Sequence, residues 1–496
     1  MRKNQRAFTE FTQTISHLHE LLALWAIGLF ALPLANAAIL SVGPSGMFAT
    51  PCAAVAAAAA GDTINVDPAG TYVDDFCAIQ EPLTIRSSGP GRARIISSGT
   101  KTLAWGQAIY VLTAAPMVIE GLEFSGAKTF DGSNNGAGVR LPSAPPISGG
   151  VTIRNCSFHD NEEGMLAGDN SNLELTIEYS EFYQNGHSSG FSHNLYINKI
   201  KKLVFQFNYS ARSRVGHLVK SRAFENHVLY NRLSQESGDG SYELDLSNGG
   251  DSWVTGNIIQ QGNSSQNMAL VSFAAEGLHP NSMLRLYHNT FVNQRAAGSY
   301  LACGPRCSSI AVTASNNIFY GGASFPAGVS GLPGAGAFTG DPMFVNVAAL
   351  DVHLTTGSGA IDNGVVIPGV SLNFEYKHPA SAVVRTQSGI GPDVGAYEFP
   401  QPPPPVTWKV AEGTLPPGLS LDGLTGLITG TPTASGVYDL AVTATPSAPG
   451  LRTITKHFTI PVWKTIQYFP FIPSPSTLAT GIVNRTYSYK LEVLVQ

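Results

Sequence analysis

The sequence predicts an all-β protein whose main body is a solenoid of short, stacked β-coils. Short strand-like runs recur through the middle of the chain, among them 151–153, 203–205, 253–255 and 284–286. A repeat in the twenties that carries short strands is typical of solenoids, and no segment shows sustained helical periodicity. Several runs are followed by an asparagine, with final intervals of 23, 26, 32 and 27 residues: Asn155, Asn208, Asn231, Asn257, Asn289 and Asn316.

These recurring asparagines are interpreted as structural. In a solenoid each coil contacts only its neighbours, and asparagine side chains stacked on successive coils hydrogen-bond along the stack. We therefore expect the series to hold the coils together rather than to take part in chemistry.

The composition excludes several classes of protein. The chain has 496 residues, with 29 Lys+Arg against 34 Asp+Glu and a net charge of −5. Without a positive excess, a nucleic-acid partner is not expected. Charged residues make up 13%, about half the usual share of roughly 25%. The longest apolar stretch, 21–34, is too short to predict a membrane span.

This apolar stretch is better explained as part of a signal peptide. It follows the basic residues Arg2, Lys3 and Arg6 and precedes the small residues Ala35 and Ala37, which is the pattern of a secretory signal with its cleavage site. We predict that residues 1–37 are removed, with an uncleaved anchor as the alternative. The mature protein is then secreted, periplasmic or at the cell surface of a bacterium.

The five cysteines fit an oxidising compartment without predicting a disulfide scaffold. Cys52 and Cys77 are candidates for a bridge in the N-terminal segment, and Cys303 and Cys307 for a local bridge around a Gly-Pro turn. Cys156 would remain as a small buried hydrophobic residue.

Segments at both ends of the solenoid resemble the right-handed parallel β-helix of pectate-lyase-like proteins. The resemblance covers residues 38–399 and implies that fold as one domain. Lyases, hydrolases, epimerases and adhesins share it, so it does not imply one function. The matching segments are Gly61–Ile64 and Pro68–Tyr72 for the first coil, and Asp341–Val345, Gly359–Asp362 and Gly391–Tyr397 for closing coils.

A second domain is predicted at the C-terminus. Residues 400–406 are rich in proline and predict a stiff linker. Beyond it, 407–496 resembles the immunoglobulin-like repeats of bacterial surface proteins, through Gly413–Leu421 and Gly430–Tyr438. The opening Gly-to-Tyr strand of such repeats occurs only at 481–487. Either a second repeat is incomplete, or this strand completes the first β-sandwich.

Candidate site residues follow from the coil period. Residues one coil apart stack on the same face, and neighbouring coils lie about 4.8 Å apart, so members of a column are expected to touch. We therefore predict one polar patch within 185–250. Three columns run at intervals of 24 or 25 residues: His193, His217, Tyr242 and Asn267; Tyr196, Lys220 and Asp245; and Asn198, Arg222 and Ser247.

Such a patch suits β-elimination on a polysaccharide of uronic acids. The reaction needs a cation at the sugar carboxylate, a base for the C5 proton and an acid for the leaving oxygen. Lys220 or a histidine is the predicted base, Tyr242 or Tyr196 the acid, and Arg222 the carboxylate ligand. The predicted catalytic residues are Lys220, His217, His193, Tyr242 and Arg222, and the predicted substrate-binding residues are Tyr196, Asn194, Asp245, His187 and Asn267.

The stretch from Val219 to Asn231 is similar to the lysine motif of the chondroitinase-B-like and alginate-lyase family. That resemblance implies Lys220 as the base. The arginine that the family places about one coil later is not matched, since Asp245 stands there. The acidic residues that hold calcium before the lysine are also not matched. No metal ligand is therefore predicted, and a calcium requirement stays open.

Three alternatives remain. The first is a glycan-binding adhesin without catalysis, and the second is a glycoside hydrolase, which needs two carboxylates facing one cleft. The third is a C5-epimerase. For each, the expected partner is a polysaccharide, and we expect a monomer without an organic cofactor.

Overall fold

The computed structural model describes residues 37–304, 311–401, 405–447, 452–464, 481–482 and 486–491. The predicted signal peptide, residues 1–37, lies outside these residues except for Ala37. Cys307 and the linker residues 402–404 also lie outside them, so neither the Cys303–Cys307 bridge nor the linker is described.

Parallel strands form ladders along a solenoid between Ile39 and Ser324, as predicted. The first ladder, here called sheet 1, has eleven strands. They are Ile39–Val42, Thr63–Val66, Thr84–Ser87, Met117–Glu120, Gly149–Arg154, Asn170–Glu178, Ile200–Gln206, Glu225–Leu229, Asp251–Thr255, Met283–Tyr287 and Ala311–Ser315.

Two further ladders share the long strand Thr290–Cys303. Sheet 2 also contains Thr71–Val73, Ala93–Ile96, Leu122–Ser125, Ser157–His159, Glu181–Tyr183, Tyr209–Ala211, Arg232–Ser234, Ile258–Gln261 and Ile318–Ser324. Sheet 3 also contains Cys77–Ile79, Ala108–Leu112, Ala137–Leu141, Glu163–Ala167, Leu195–Ile197, Val219–Ser221, Leu244–Leu246 and Ala269–Phe273. A coil passes through sheets 1, 2 and 3 in that order.

Apolar side chains fill the space between the three sheets. In sheet 2, Phe124, Phe158 and Phe182 are in register, and their rings stack with centroids 5.2 and 4.7 Å apart. Because side chains alternate between the two faces of a strand, the residues between these positions point outward. The outer face of sheet 3 carries the predicted patch.

An asparagine ladder runs along the turn between sheets 1 and 2. At each step, the backbone N–H and side-chain amide of one asparagine donate to the side-chain oxygen of the next. The ladder comprises Asn208, Asn231, Asn257, Asn289 and Asn317, so the structural interpretation is confirmed. Asn155 and Asn316 instead occupy the preceding turn position with positive φ angles of 49° and 55°; the prediction for these two was wrong by one residue.

A bridge joins Cys52 to Cys77, as predicted, with Cα atoms 5.7 Å apart. It fixes the short helix Pro51–Ala57 to the first strand of sheet 3. Cys156 is a buried free thiol, and burial raises its pKa to about 12.

The segment after Ser324 does not continue the ladders as regular closing coils. After irregular turns it forms two antiparallel hairpins, Phe344–Asn346 with Asp351–Leu354 and Phe374–Lys377 with Ser381–Val384. The 3-10 helix Val347–Ala349 connects the two strands of the first hairpin. The side chains of this segment pack against sheet 2 in one apolar cluster that includes Tyr209, Tyr376 and Tyr397. This segment therefore covers part of the outer face of sheet 2.

The C-terminal region forms two small sheets. One contains Val406–Gly413, Gly436–Pro446, Ile454–Trp463 and Gly481–Ile482, and the other Leu419–Leu421, Leu427–Gly430 and Tyr487–Lys490. Gly481 pairs with Val462 in the first sheet and Tyr487 pairs with Gly430 in the second, so the two ends of the late Gly-to-Tyr segment add to both sheets of the module. Within the described ranges, no helix is long and apolar enough to cross a membrane.

We predict that Asn231→Ala lowers the free energy of unfolding by about 3 kcal/mol. The substitution removes the acceptor of the buried Asn208 backbone N–H, and a buried group without its partner costs about 1–3 kcal/mol. It also removes one hydrogen bond each from the Phe205 carbonyl and from the Asn208 side-chain amide, which keeps Ile177 O. Asn65→Ala is the control, since Asn65 bonds Arg86 on an exposed surface and should change stability by less than about 0.5 kcal/mol. Equal denaturant midpoints for the two variants would contradict the ladder's role.

Candidate functional site

The predicted lysine column is present on the outer face of sheet 3. Strand pairing places Tyr196 opposite Lys220, and Lys220 opposite Asp245. The Lys220 ammonium lies 3.2 Å from Asp245 Oδ2 and 5.8 Å from the centre of the Tyr196 ring. The 24- and 25-residue intervals thus bring these three side chains together.

The histidine column is also present, and backbone N–H groups link its members. His217 N donates to His193 Nδ1 at 2.9 Å, and Tyr242 N donates to His217 Nδ1 at 3.2 Å. The two imidazoles stack with centroids 4.5 Å apart. One coil earlier, Glu163 Oε2 accepts from His193 N at 2.9 Å. Glu163 therefore stands one coil before His193, the first predicted member of this column.

These contacts fix the protonation of both histidines. A ring nitrogen that accepts an N–H carries no proton, so the proton of the neutral ring is on Nε2. Burial and the charge of Lys220, opposed by Asp245, lower the pKa of His217 to about 4. Burial and the neighbouring His217 hold the pKa of His193 well below its usual value. Both rings are therefore neutral hydrogen-bond donors, and neither has a free lone pair with which to act as a base.

Arg222 connects the lysine column to the third column. Its guanidinium donates to Asn198 Oδ1 at 2.8 Å and to the Tyr196 hydroxyl, and it lies 5.0 Å from the centre of the Tyr196 ring. The predicted contact of Arg222 with Asn198 is thus observed. Ser247, the last member of that column, instead donates to Asp245 Oδ2 at 2.6 Å.

Glu276 completes the site and was not among the predicted site residues. Its carboxylate contacts Lys220 Nζ at 2.6 Å and Arg222 Nη2 at 2.5 Å. Burial opposes ionisation, but hydrogen bonds from Lys220 and Arg222 lower the pKa of Glu276 below its usual value. Glu276 comes from the loop after Ala269–Phe273, 56 residues from Lys220, so the coil period gave no signal for this contact.

The resulting site is balanced in charge, with two cations against two carboxylates. Asp245 is 3% exposed and Lys220 is 7% exposed. A buried carboxylate needs such a partner because its desolvation is costly. The expected contact between Lys220 and Asp245 in one column is therefore observed, as an ion pair made through Asp245 Oδ2.

Three predicted substrate-binding residues do not join the charged cluster, which consists of Lys220, Arg222, Asp245 and Glu276 with the neighbouring Tyr196. Asn194 is fully buried, and its side chain bonds Asn185, Ser210 and the Ala211 carbonyl inside the solenoid. Asn267 is out of register, because the pairing of Leu244 with Val271 makes that coil 27 residues long; its side chain bonds Ser241. His187 Nδ1 accepts from Ser189 N at 3.3 Å within its own loop, and no described contact joins it to the cluster.

Loops between sheets 2 and 3 present apolar side chains to solvent beside this face. Phe130, Phe191 and Met268 are 59%, 81% and 56% exposed. The loop of Phe130 is nevertheless held in place, since the Glu162 carboxylate accepts from Thr129 N and Gly136 N at 3.0 and 2.9 Å. Ser192, next to Phe191, donates to Asn134 O of that loop at 2.6 Å. Phe130 and Phe191 are therefore displayed on loops that hydrogen bonds attach to the solenoid and to each other.

The described residues contain no group of three or more His, Cys, Asp or Glu side chains arranged to hold a metal ion. In the cluster, Asp245 and Glu276 both face the same ammonium group. An anion that binds here can contact the two cations, Lys220 and Arg222. A polar ligand can accept hydrogen bonds from the tyrosine hydroxyl and histidine N–H groups.

We predict that the imidazole signals of His193 and His217 do not titrate between pH 5.5 and 8, and that nitrogen-15 shifts show a proton on Nε2 in both. Unfolded histidine has a pKa of about 6.5, so the lowered pKa of His217 stabilises the fold above that value, and the contribution is lost as the pH falls towards 4. NMR of the mature protein measures this directly. A midpoint near 6.5 for either ring would contradict the neutral ladder.

Comparison with known families agrees with the architecture. Residues 92–259 match the family described as the right-handed β-helix region, and residues 373–462 match the family described as Putative Ig domain. The second match begins within the hairpin segment that packs on the solenoid. No curated protein matches the sequence. The chain thus carries a right-handed parallel β-helix followed by an immunoglobulin-like domain.

Proposed function

We propose that this protein is an exported bacterial polysaccharide lyase that cleaves a uronic-acid-containing polysaccharide by β-elimination. The observation that carries the proposal is the pairing of Lys220 and Arg222 around one solvent-facing carboxylate, with Tyr196 against both cations. A uronate carboxylate is the substrate group that such a pair of cations recognises.

In this proposal, Arg222 and the Lys220 ammonium bind the C6 carboxylate of the sugar, and Arg222 stabilises the charge that moves onto this carboxylate as the C5 proton leaves. The electron pair of the C5–H bond forms a double bond between C4 and C5. The bond from C4 to the glycosidic oxygen breaks, and that oxygen takes up a proton. The protein must therefore supply one base and one acid.

Lys220 is the proposed base. Its ammonium must first lose a proton to solvent, because the Asp245 carboxylate at 3.2 Å is a much weaker base than an amine and pairs with the ammonium instead of deprotonating it. His193 and His217 are removed from this role because their Nδ1 atoms already accept backbone N–H groups. They are instead neutral neighbours of Lys220. Because they are neutral, they add no positive charge beside the base.

Tyr242 is the proposed acid for the leaving oxygen. Burial and the charge of Asp245 raise the pKa of Tyr242, so its phenol keeps the proton at neutral pH. Tyr242 is half-buried and its ring lies 5.2 Å from that of His217. Tyr196, whose hydroxyl accepts from Arg222, is proposed to position the arginine.

The exposed Phe130 and Phe191 support a glycan as the ligand, since sugar rings stack on exposed aromatic faces. The Cys52–Cys77 bridge supports export, because disulfides persist in oxidising compartments. Both observations are also compatible with an adhesin. What favours catalysis is the group of titratable side chains around Lys220, namely Arg222, Asp245 and Glu276.

A hydrolase is the second candidate because Asp245 and Glu276 both lie within 3.2 Å of Lys220 Nζ. Retaining hydrolases hold two carboxyl groups about 5–5.5 Å apart. One of them must stay protonated as a general acid, however, and the pKa of Glu276 is lowered by Lys220 and Arg222 despite its partial burial. This favours elimination over hydrolysis.

We expect the mature protein to produce an unsaturated uronate, followed by its ultraviolet absorbance, from at least one of alginate, pectate, glucuronan or a glycosaminoglycan. Parallel reactions with a chelator test for a calcium requirement. New reducing ends without absorbance would support hydrolysis at Asp245 and Glu276. Binding without any product would support the adhesin.

We further predict that Lys220→Arg lowers kcat by about 10²-fold or more, since general-base catalysis contributes about 10²–10⁴-fold and arginine does not deprotonate in proteins. Arginine keeps the positive charge beside buried Asp245, so the melting temperature should stay within a few degrees. Alanine is unsuitable here because it would leave that carboxylate unpaired.

Lys202→Arg is the matched control for this variant. Lys202 pairs with Glu225 at 2.8 Å on sheet 1, on a different face of the solenoid. Full activity of Lys220→Arg would exclude Lys220 as the base.

A further inference from the structure

Glu276 lies on the solvent side of Lys220 and Arg222, the two cations that it contacts. Its side chain is 43% exposed, whereas those of Lys220 and Arg222 are 8% and 17% exposed. Glu276 Oε1 accepts from Lys220 Nζ at 2.6 Å, and Oε2 accepts from Arg222 Nε at 2.9 Å. The Glu276 carboxylate thus accepts hydrogen bonds from two cationic groups, one through each oxygen. It lies where a ligand would have to approach these cations from solvent.

The loop that carries Glu276 is held by its backbone and not by this carboxylate. Glu276 N and Gly277 N donate to Ser247 O at 2.8 and 3.1 Å, and His279 N donates to Asn248 O at 2.9 Å. The His279 side chain contacts Arg222 O at 2.8 Å. The Glu276 side chain can therefore rotate away from Lys220 and Arg222 while the loop keeps its attachments to the preceding coil.

We propose that the Glu276 carboxylate occupies the protein's own binding site for a sugar carboxylate, and that a uronate binds by displacing it. This inference rests on the proposed function, in which Lys220 and Arg222 bind the acidic group of the substrate. A planar carboxylate with two oxygens makes the same paired contacts whether it belongs to Glu276 or to a uronate. Without an acidic sugar, the carboxylate of Glu276 keeps the two cations paired.

The exchange has a consequence for specificity. A tethered carboxylate competes as an intramolecular ligand, with an effective concentration in the millimolar range for a short flexible link. A free acid that offers only a carboxylate must therefore compete with Glu276, and a neutral sugar has no group with which to replace it. A polyuronate gains additional contacts along the outer face of sheet 3, so it displaces Glu276 where a small acid does not.

Equilibrium binding of methyl glucuronide, with methyl glucoside as the neutral control, tests the inference without relying on catalysis. We expect Glu276→Gln to bind the glucuronide about tenfold more tightly than the wild-type protein, because the competing charge is gone. Methyl glucoside should bind equally to both. Calorimetry or NMR titration gives the dissociation constants, and Glu276→Ala serves as a second variant in which no amide replaces the carboxylate.

Glu225→Gln is the matched control. Glu225 is 40% exposed and pairs with Lys202 at 2.8 Å, so this variant removes one negative charge of similar exposure from another face. It should leave the affinity for the glucuronide unchanged. Adding Arg222→Gln to Glu276→Gln should abolish the gain, which separates a local site from a general change in net charge.

Unchanged or weaker glucuronide binding in both Glu276 variants would overturn the inference and make Glu276 a positioning residue for the two cations. That result would leave the proposed lyase intact if Lys220→Arg still abolished product formation. Tighter glucuronide binding together with no unsaturated product from any uronate polymer would instead retain the anion site and reject elimination. The two proposals therefore fail on different measurements.

Discussion

The in-register stacking of parallel coils is the constraint on which the rest of the molecule depends. Buried backbone amides at the turn after sheet 1 find their acceptors in the asparagine of the next coil, as between Asn208 and Asn231. This fixes each coil relative to its neighbours. A side chain on the outer face then meets the residue one coil away in sequence, so Tyr196, Lys220 and Asp245 form a column although no short motif contains them. The fold and the site share one geometric cause.

The same constraint explains how much of the structure the sequence predicts. The coil period and the strand runs predict the solenoid, the asparagine ladder and the His193–His217–Tyr242 column, because all of these depend on intervals. Coil length varies, however, and the 27-residue step from Leu244 to Val271 removes Asn267 from its column. Periodicity also does not separate the inside of a coil from the outside, which is why Asn194, a buried member of an internal ladder, was predicted as a substrate-binding residue.

Contacts made by loops cannot be predicted from the coil period. Glu276 reaches Lys220 and Arg222 from a loop attached to a later coil, and its separations of 56 and 54 residues match no single coil length. The hairpins that cover sheet 2 are similarly set by tertiary packing, with Tyr376 and Tyr397 against Tyr209. A signal for Glu276 existed in chemical terms, since two neighbouring cations in a chain with 34 acidic residues require counter-charges, but the sequence does not say which acid provides them.

The charge balance of the site gives the neutral histidines a physical role. Lys220 and Arg222 are compensated by Asp245 and Glu276, so a protonated imidazole would be an uncompensated third cation in a half-buried space. The backbone N–H groups that donate to His193 and His217 oppose this protonation directly, because a protonated ring has no acceptor for them. The column therefore holds the net charge near Lys220 constant over the neutral pH range. Apart from the deprotonation of Lys220 in the proposed reaction, a change in that balance must come from a ligand, and a carboxylate that replaces Glu276 is the ligand that alters it least.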